Sequence, residues 1–251
     1  MTRIAVAGAT GRVGRHVVDV LNERGHDVVA ISRSNGVDVI TGDGLAAALE
    51  GVEVIVDVVT GPSPEQGAAT EFFITATRNL QEAAEKAGVR KLVVVSIIGT
   101  DRAAGGYGAA KLAHERAALA GPIPARILRA AQFHEFVEVL MGWGRQGDVV
   151  YLPKMRTQIV AARTVAEALA DLALSTEPEG AQPAEIAGPR EEYLPDLAQL
   201  VAAKRGEEVK IEAVSNPADP DDALNTNGGL LPGPHATLAG PTFAEWLDAE
   251  G

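Results

Sequence analysis

The 251-residue chain contains no cysteine, which excludes disulfide staples and thiolate metal sites. It is also short of basic residues: Lys and Arg total 22 against 34 Asp and Glu, a formal net charge of -12. A surface of that sign repels phosphate backbones and anionic membranes, so neither nucleic acid nor a membrane is expected as a partner. No apolar run approaches the roughly 20 residues that span a bilayer. The opening MTRIAVAGATG lacks the apolar stretch of a signal peptide, and a cytoplasmic protein is the expectation. Histidine is scarce as well. His16, His26, His114, His134 and His235 fall on separate segments without paired ligand spacing, so no metal is expected. No serine stands in a nucleophile-elbow setting, which argues against Ser-His-Asp hydrolysis.

What is present is apolar sequence: 46% of the residues are hydrophobic, enough to bury a sizeable core. From the start to about Arg129, short β-branched runs alternate with longer Ala-rich segments, the pattern of parallel strands joined by crossover helices. Strands are predicted at 4–7, 27–31, 37–40, 54–58, 92–95 and 125–128, and helices at 13–24, 71–87 and 107–119. Arg24-Gly25 and Ala87-Gly88 read as helix stops, glycine supplying the left-handed residue. Beyond Phe133 the order loosens. A helix to Leu140, a Gly-rich stretch at 142–147, strand-like pieces at 149–152 and 158–160 and a helix at 165–174 are expected there. A loop at 175–183, then strand, helix and strand at 184–187, 194–204 and 209–214, an irregular tract at 216–234 and a closing helix at 242–249 complete the reading. The acidic run Asp219-Pro220-Asp221-Asp222 reads as a solvated loop. Residues 1–132 are thus expected to form one nucleotide-binding core, and 133–251 smaller segments packed on the same domain.

The first strand runs directly into Gly8-Ala9-Thr10-Gly11-Arg12-Val13-Gly14 and then an amphipathic helix, the setting of a phosphate-cradling turn. One glycine permits the tight turn, one lets backbone amides approach a pyrophosphate, and one lets helix pack on strand. Three spaced glycines arise easily by chance; their place between a buried strand and the first helix makes the signal specific. The fold class that follows is α/β, a Rossmann-type doubly wound parallel sheet with a small mixed C-terminal substrate lobe. The second strand ends in Ser32-Arg33-Ser34, where the adenosine ribose of a dinucleotide lies in this fold. An acid there would bind the free hydroxyls of NAD, whereas an arginine between two hydroxyls receives a 2′-phosphate. With Arg12 in reach of the same group, NADP(H) is favoured over NAD(H). Asp43 and Gly44 are candidates to border the adenine, and Val58, Val59 and Thr60 to line the cofactor.

Tyr107 and Lys111 stand four apart on one helix face, so a phenol and an ammonium can act on the same bound molecule. A free phenol, with pKa about 10, exchanges protons poorly near neutrality, and a neighbouring cation makes it usable for carbonyl chemistry. Ser96, closing the fifth predicted strand, is the candidate to hydrogen-bond a carbonyl beside it, with Thr100 in reserve. Phe133, His134, Phe136, Trp143 and Met155 are candidates for an apolar substrate wall, Phe133 and His134 foremost.

Taken together, these residues resemble the atypical, NmrA-like, NAD(P)H-binding branch of the short-chain dehydrogenase/reductase superfamily. The likeness rests on Gly8 to Gly14, on Asn79 with Ala83-Ala84 and Gly88-Val89, and on Ser96-Ile97-Ile98-Gly99. It continues through Tyr107-Gly108-Ala109-Ala110-Lys111 with Glu115 and through Ile127-Leu128-Arg129-Ala130-Ala131-Gln132-Phe133. The resemblance implies an oxidoreductase acting on a small molecule, with Tyr107 as acid/base, Lys111 on the nicotinamide ribose and beside the phenol, and Ser96 orienting the carbonyl. The same branch implies an alternative, a non-catalytic NADP(H)-binding regulator that reports redox state to a protein partner.

Overall fold

A computed structural model describes residues 1–176 and 182–249. The first half of the chain runs β1 (Arg3–Ala7), α1 (Gly14–Glu23), β2 (Asp27–Ile31), α2 (Leu45–Ala48), β3 (Val54–Asp57), α3 (Gln66–Ala87), β4 (Lys91–Ile97), α4 (Gly106–Leu119) and β5 (Ala125–Ala130). The second half continues with α5 (Phe136–Gly144), β6 (Arg145–Gln146), β7 (Val149–Pro153), β8 (Arg156–Thr157), α6 (Ala162–Leu174), β9 (Ala184–Ala187), β10 (Glu192–Tyr193), α7 (Leu194–Arg205), β11 (Lys210–Val214), α8 (Asp222–Thr226), β12 (Thr237–Leu238) and α9 (Phe243–Ala249).

Seven strands form the main sheet in the order β12-β9-β5-β4-β3-β1-β2, all parallel, with Val6 opposite both Ala30 and Val56. Both faces are covered, which is why its strands read as nearly continuous apolar runs. The strand alternation is visible in β1. Ile4 and Val6 enter a core shared with α1 and α6, while Ala5 and Ala7 enter a second core beneath α2, α3 and α4. From β1 the chain moves outward to β2 and then returns to the other side as β3, so a crevice opens between the carboxyl ends of β1 and β3.

Both predicted glycine stops form, Gly25 at φ 76 and Gly88 at φ 74. Helix α3 begins five residues earlier than read, because the Glu65 side chain accepts bonds from the amides of Gly67 and Ala68 at 3.0 and 2.9 Å.

The predicted strand at 37–40 does not form. Asp38 accepts the Ile40 amide on its own side chain at 2.7 Å, a local turn that competes with a ladder. The Asn79 amide on α3 then takes the carbonyls of Val39 and Ile40 at 2.9 and 2.7 Å. With its neighbour engaged elsewhere, β2 remains the edge of the sheet.

The second half contributes β9, β12 and α6 to the main sheet and its cover. The remainder builds a small lobe, with β7 flanked by antiparallel β6 and parallel β11, cored by Val137, Met141, Val150, Leu152, Leu197, Val201 and Phe243. Two further readings there need correction. Strand pairing at 158–160 reduces to an isolated bridge between Val160 and Phe133, and the Gly-rich stretch at 142–147 completes α5 and β6. The acidic run is more than a solvated loop, since Asp221 accepts the Ala104 amide at 2.7 Å just ahead of α4. The expected loop at 175–183 lies partly outside the described residues.

Candidate functional site

The crevice at the carboxyl ends of β1, β2 and β3 holds a cleft of about 960 Å³, at the upper end of the range for small-molecule and cofactor sites. Its floor is the glycine turn. Gly8 adopts φ 84, and a Cβ there would stand 2.9 Å from the Val58 carbonyl oxygen. A Cβ on Gly14 would lie 2.0 Å from the Gly8 carbonyl oxygen, so only glycine lets α1 start this close to the turn. Helix α1 opens with no side-chain cap and no acid in its first turn, which leaves its positive end to an anion. Gly8, Thr10, Gly11, Arg12 and Val13 line the cleft, while Gly14 packs behind it. A backbone cradle that a single Cβ would fill fits the pyrophosphate of a dinucleotide.

Past the turn, Ser32 and Arg33 line the cleft, and the Ser34 hydroxyl stands 2.9 Å from that of Ser32. Among the described residues Arg12 and Arg33 make no ion pair, whereas Arg24, Arg156 and Arg163 are each bound to an acid. In a chain so rich in acids, two unpaired guanidiniums on one cleft form a local receptor for an anion. Asp43 and Gly44 do not line the cleft. They lie exposed in the turn before α2, and the wall is built instead by residues 37–40, together with Pro62, Phe72 and Thr75. Sequence reasoning missed this wall because 37–40 reads as a strand, and the Asn79 bonds that hold it as a loop beside α3 come from about forty residues away.

At the other end Val58, Val59, Thr60, Val95 and Phe133 line the cleft. Tyr107 is half-buried and meets it indirectly. Its ring stands edge-on to Phe73, 5.8 Å between centroids, and its hydroxyl bonds to Thr60. Burial raises its pKa above the ordinary phenol value, and the Thr60 bond offsets part of the rise.

Lys111 lies on the same helix but turns inward. Its Nζ donates to the Val95 carbonyl and to His114 Nδ1, both at 2.8 Å, and sits 4.5 Å from the centre of the Phe73 ring. His114 Nε2 bonds Asp57 at 3.2 Å, and Asp57 in turn accepts the Val59 amide at 3.0 Å. Burial pushes Lys111 down to about 8, with Asp57 and then Glu115 opposing. His114 is also lowered, by burial first and then by Lys111. Asp57 and His114 were missed; the signal was a lone carboxylate inside the apolar run VIVDVV. Ser96 is buried on β4, and its hydroxyl has no partner among the described residues. His134 is not on the cleft either. It is enclosed by Phe243 and Trp246, bonds the Ile159 carbonyl at 3.2 Å, and burial pushes it down to about 4.

Residues 8–135 match the model of a protein family described as NAD(P)H-binding. L-arabinose 1-dehydrogenase (NAD(P)(+)) of Haloferax volcanii is 36% identical over 105 residues, covering 38% of this chain and 41% of that one. A 3-diazoavenalumate denitrifying reductase of a Streptomyces species is 40% identical over 114 residues, covering 38% of each. Photosystem II assembly factor Ycf39 of Synechocystis is 29% identical over 110 residues, 38% of this chain and 34% of that one. The matched regions thus span well under half the length of these relatives. Among solved structures, an NADPH-dependent quinone oxidoreductase of Escherichia coli in complex with NADPH superposes with a TM-score of 0.72 at 20% identity, over 98% of this chain and 99% of that one. UDP-glucuronic acid 4-epimerase of Bacillus cereus, in complex with UDP-glucuronic acid and NAD, gives 0.72 at 15% identity over 99% and 98%. These two likenesses concern the fold. No helix among the described residues is long and apolar enough to cross a membrane.

Proposed function

The chain belongs to the NAD(P)H-binding family, and on that premise we propose that it is an NADP(H)-dependent oxidoreductase transferring hydride between the nicotinamide cofactor and a small carbonyl or quinone-like compound. The observation that carries this reading is one continuous cleft. It has a glycine cradle and two unpaired guanidiniums at one end, and at the other an apolar end with a phenol behind its lining residue Thr60. Arg33, with Ser32 and Arg12, would hold the 2′-phosphate of the cofactor, and the amides of the turn its pyrophosphate. NADPH, when bound, supplies the hydride.

Val58, Val95 and Phe133 exclude water from the reacting end. Tyr107 supplies the proton: a phenol whose pKa burial has raised stays protonated across the neutral range, so in the reducing direction it can donate to a carbonyl oxygen. Thr60, bonded to the same hydroxyl, orients it.

NADPH oxidation by the purified protein against aldehydes, ketones and quinones, with NADH and Tyr107→Phe in parallel, tests the reading. Turnover that prefers NADPH and falls at least about 100-fold in the variant is the expected result. Full turnover in Tyr107→Phe would remove the phenol from the mechanism. A second reading, an NADP(H)-binding regulator without turnover, draws support from Lys111. Its ammonium points away from the cleft and leaves the phenol without the neighbouring cation that would lower its pKa. NADPH binding with no turnover on any member of the panel would favour it.

A further inference from the structure

We propose that Lys111 is a positioning residue and not a cofactor ligand: with His114 and Asp57 it forms a buried charge relay that holds two walls of the cleft at its reacting end. The three side chains come from two elements. Lys111 and His114 are neighbours three apart on α4, and Asp57 ends β3. Each bond has one consistent direction. An ammonium can only donate, so His114 Nδ1 must accept from it, and a carboxylate can only accept, so the Nε2 hydrogen must point to Asp57. Both neighbours select the same neutral tautomer, and burial together with the adjacent ammonium keeps the imidazole uncharged.

Charge balance gives the relay its purpose. Asp57, His114 and Lys111 are all buried, and a buried carboxylate needs a counter-charge. The other charges near them are already matched. Glu115, next to His114 on α4, is bound by Arg129 of β5 at 3.0 and 2.8 Å and by the Thr100 hydroxyl at 3.1 Å, and Arg129 also reaches Asp101 at 3.1 Å. Tyr107 is bonded to Thr60. Lys111 is therefore the cation that Asp57 depends on, one imidazole away. Phe73 of α3 closes the arrangement, its ring stacked on His114 at 4.6 Å and 10° and under the Lys111 ammonium.

The two ends of the relay act on the cleft. Asp57 fixes the Val59 amide, and with it the segment Val58, Val59 and Thr60 that lines the reacting end and meets Tyr107. Lys111 fixes the Val95 carbonyl, whose residue lines the same end from β4. The relay thus sets the distance between two walls of the site without touching what binds there.

Two substitutions, made singly and together in the full chain, test this. Lys111→Met leaves the Asp57 carboxylate buried without its counter-charge and lowers Tm by about 10 °C; NADPH affinity, read by fluorescence titration, falls with it. Adding Asp57→Asn removes the stranded charge while keeping an oxygen for the Val59 amide, so the double variant regains at least half of the lost Tm and of the lost affinity. Nitrogen-15 spectra of the imidazole show His114 as the Nε2–H tautomer in the wild type, and the Nδ1 signal moves in Lys111→Met, which removes the ammonium that donates to it while Asp57 still holds the Nε2 hydrogen. The proposal is overturned if Asp57→Asn restores nothing, or if Lys111→Met loses NADPH affinity while Tm and the His114 signals stay as in the wild type, the result of a lysine that serves the cofactor directly. The affinity arm rests on the cofactor reading above. A wild type that binds no NADPH would sink that reading and leave the Tm and nitrogen-15 arms to decide the relay.

Discussion

At the end of the cleft formed by Gly8, Arg12 and Arg33, the working groups are backbone amides and exposed guanidiniums; at the end formed by Val58, Val95 and Phe133, they are apolar walls backed by buried, mutually bonded side chains. The first end depends on what is absent: a Cβ at Gly8 or Gly14, an acid beside Arg33. The second depends on partners, with Asp57, His114, Lys111, Tyr107 and Thr60 each placed by another residue. A site of the first kind is damaged by sterics and salt, and one of the second by leaving a buried group unmatched.

The largest effect should come from the backbone end. Gly14→Val puts a side chain where a Cβ already lies 2.0 Å from the Gly8 carbonyl oxygen, so NADPH binding should disappear in a fluorescence titration, with stability falling by roughly 1–3 kcal/mol from overpacking. Binding that survives would mean the turn can open without loss, and the contrast between the two ends would break.

Acid should strike the partnered end and its support in the lobe. His134, which follows the cleft residue Phe133, is held neutral by burial down to about pH 4, while in the unfolded chain it takes up a proton near pH 6.5. The unfolded state therefore binds the extra proton between these values. Stability from this group is complete above about 6.5 and falls as pH drops toward 4, by about 3 kcal/mol in all. Urea melts at pH 7 and pH 4.5 should show this loss in the wild type and much less of it in His134→Gln, which keeps a donor for Ile159 but does not titrate. An equal loss in both would assign the acid sensitivity elsewhere.

The smallest of the three effects sharpens the exposed end. Arg33→Ala should raise the NADPH dissociation constant roughly 10-fold to 100-fold, the range of a lost charge-assisted bond, and leave NADH nearly unchanged. Because the guanidinium is exposed, the difference should also shrink as salt rises. Equal losses for both cofactors would show that Arg33 acts on something other than a 2′-phosphate.

Much of the fold was legible. Five of the six strands expected in the first half form, since each is a short apolar run whose neighbours in the sheet only reinforce its own preference. The sixth was not, because Val37, Asp38, Val39 and Ile40 alternate like a strand while the competing bonds come from the Asp38 side chain and from Asn79, forty residues away. The same distance explains the cleft wall. Residues 37–40 were read as framework and Asp43 and Gly44 as the border, and the reverse arrangement follows once Asn79 holds the loop.

The chain's local order was enough to determine the glycine turn, the strand that feeds it, the arginine at the end of β2 and the common helix face of Tyr107 and Lys111, because each depends on residues a few positions apart and on backbone sterics. The direction of the Lys111 side chain, the burial of His134 and the pairing of Asp57 with His114, 57 residues later, were decided only by the tertiary structure. A long, flexible side chain goes wherever its charge is best compensated, and here the compensating groups come from a different strand and a different layer of the fold.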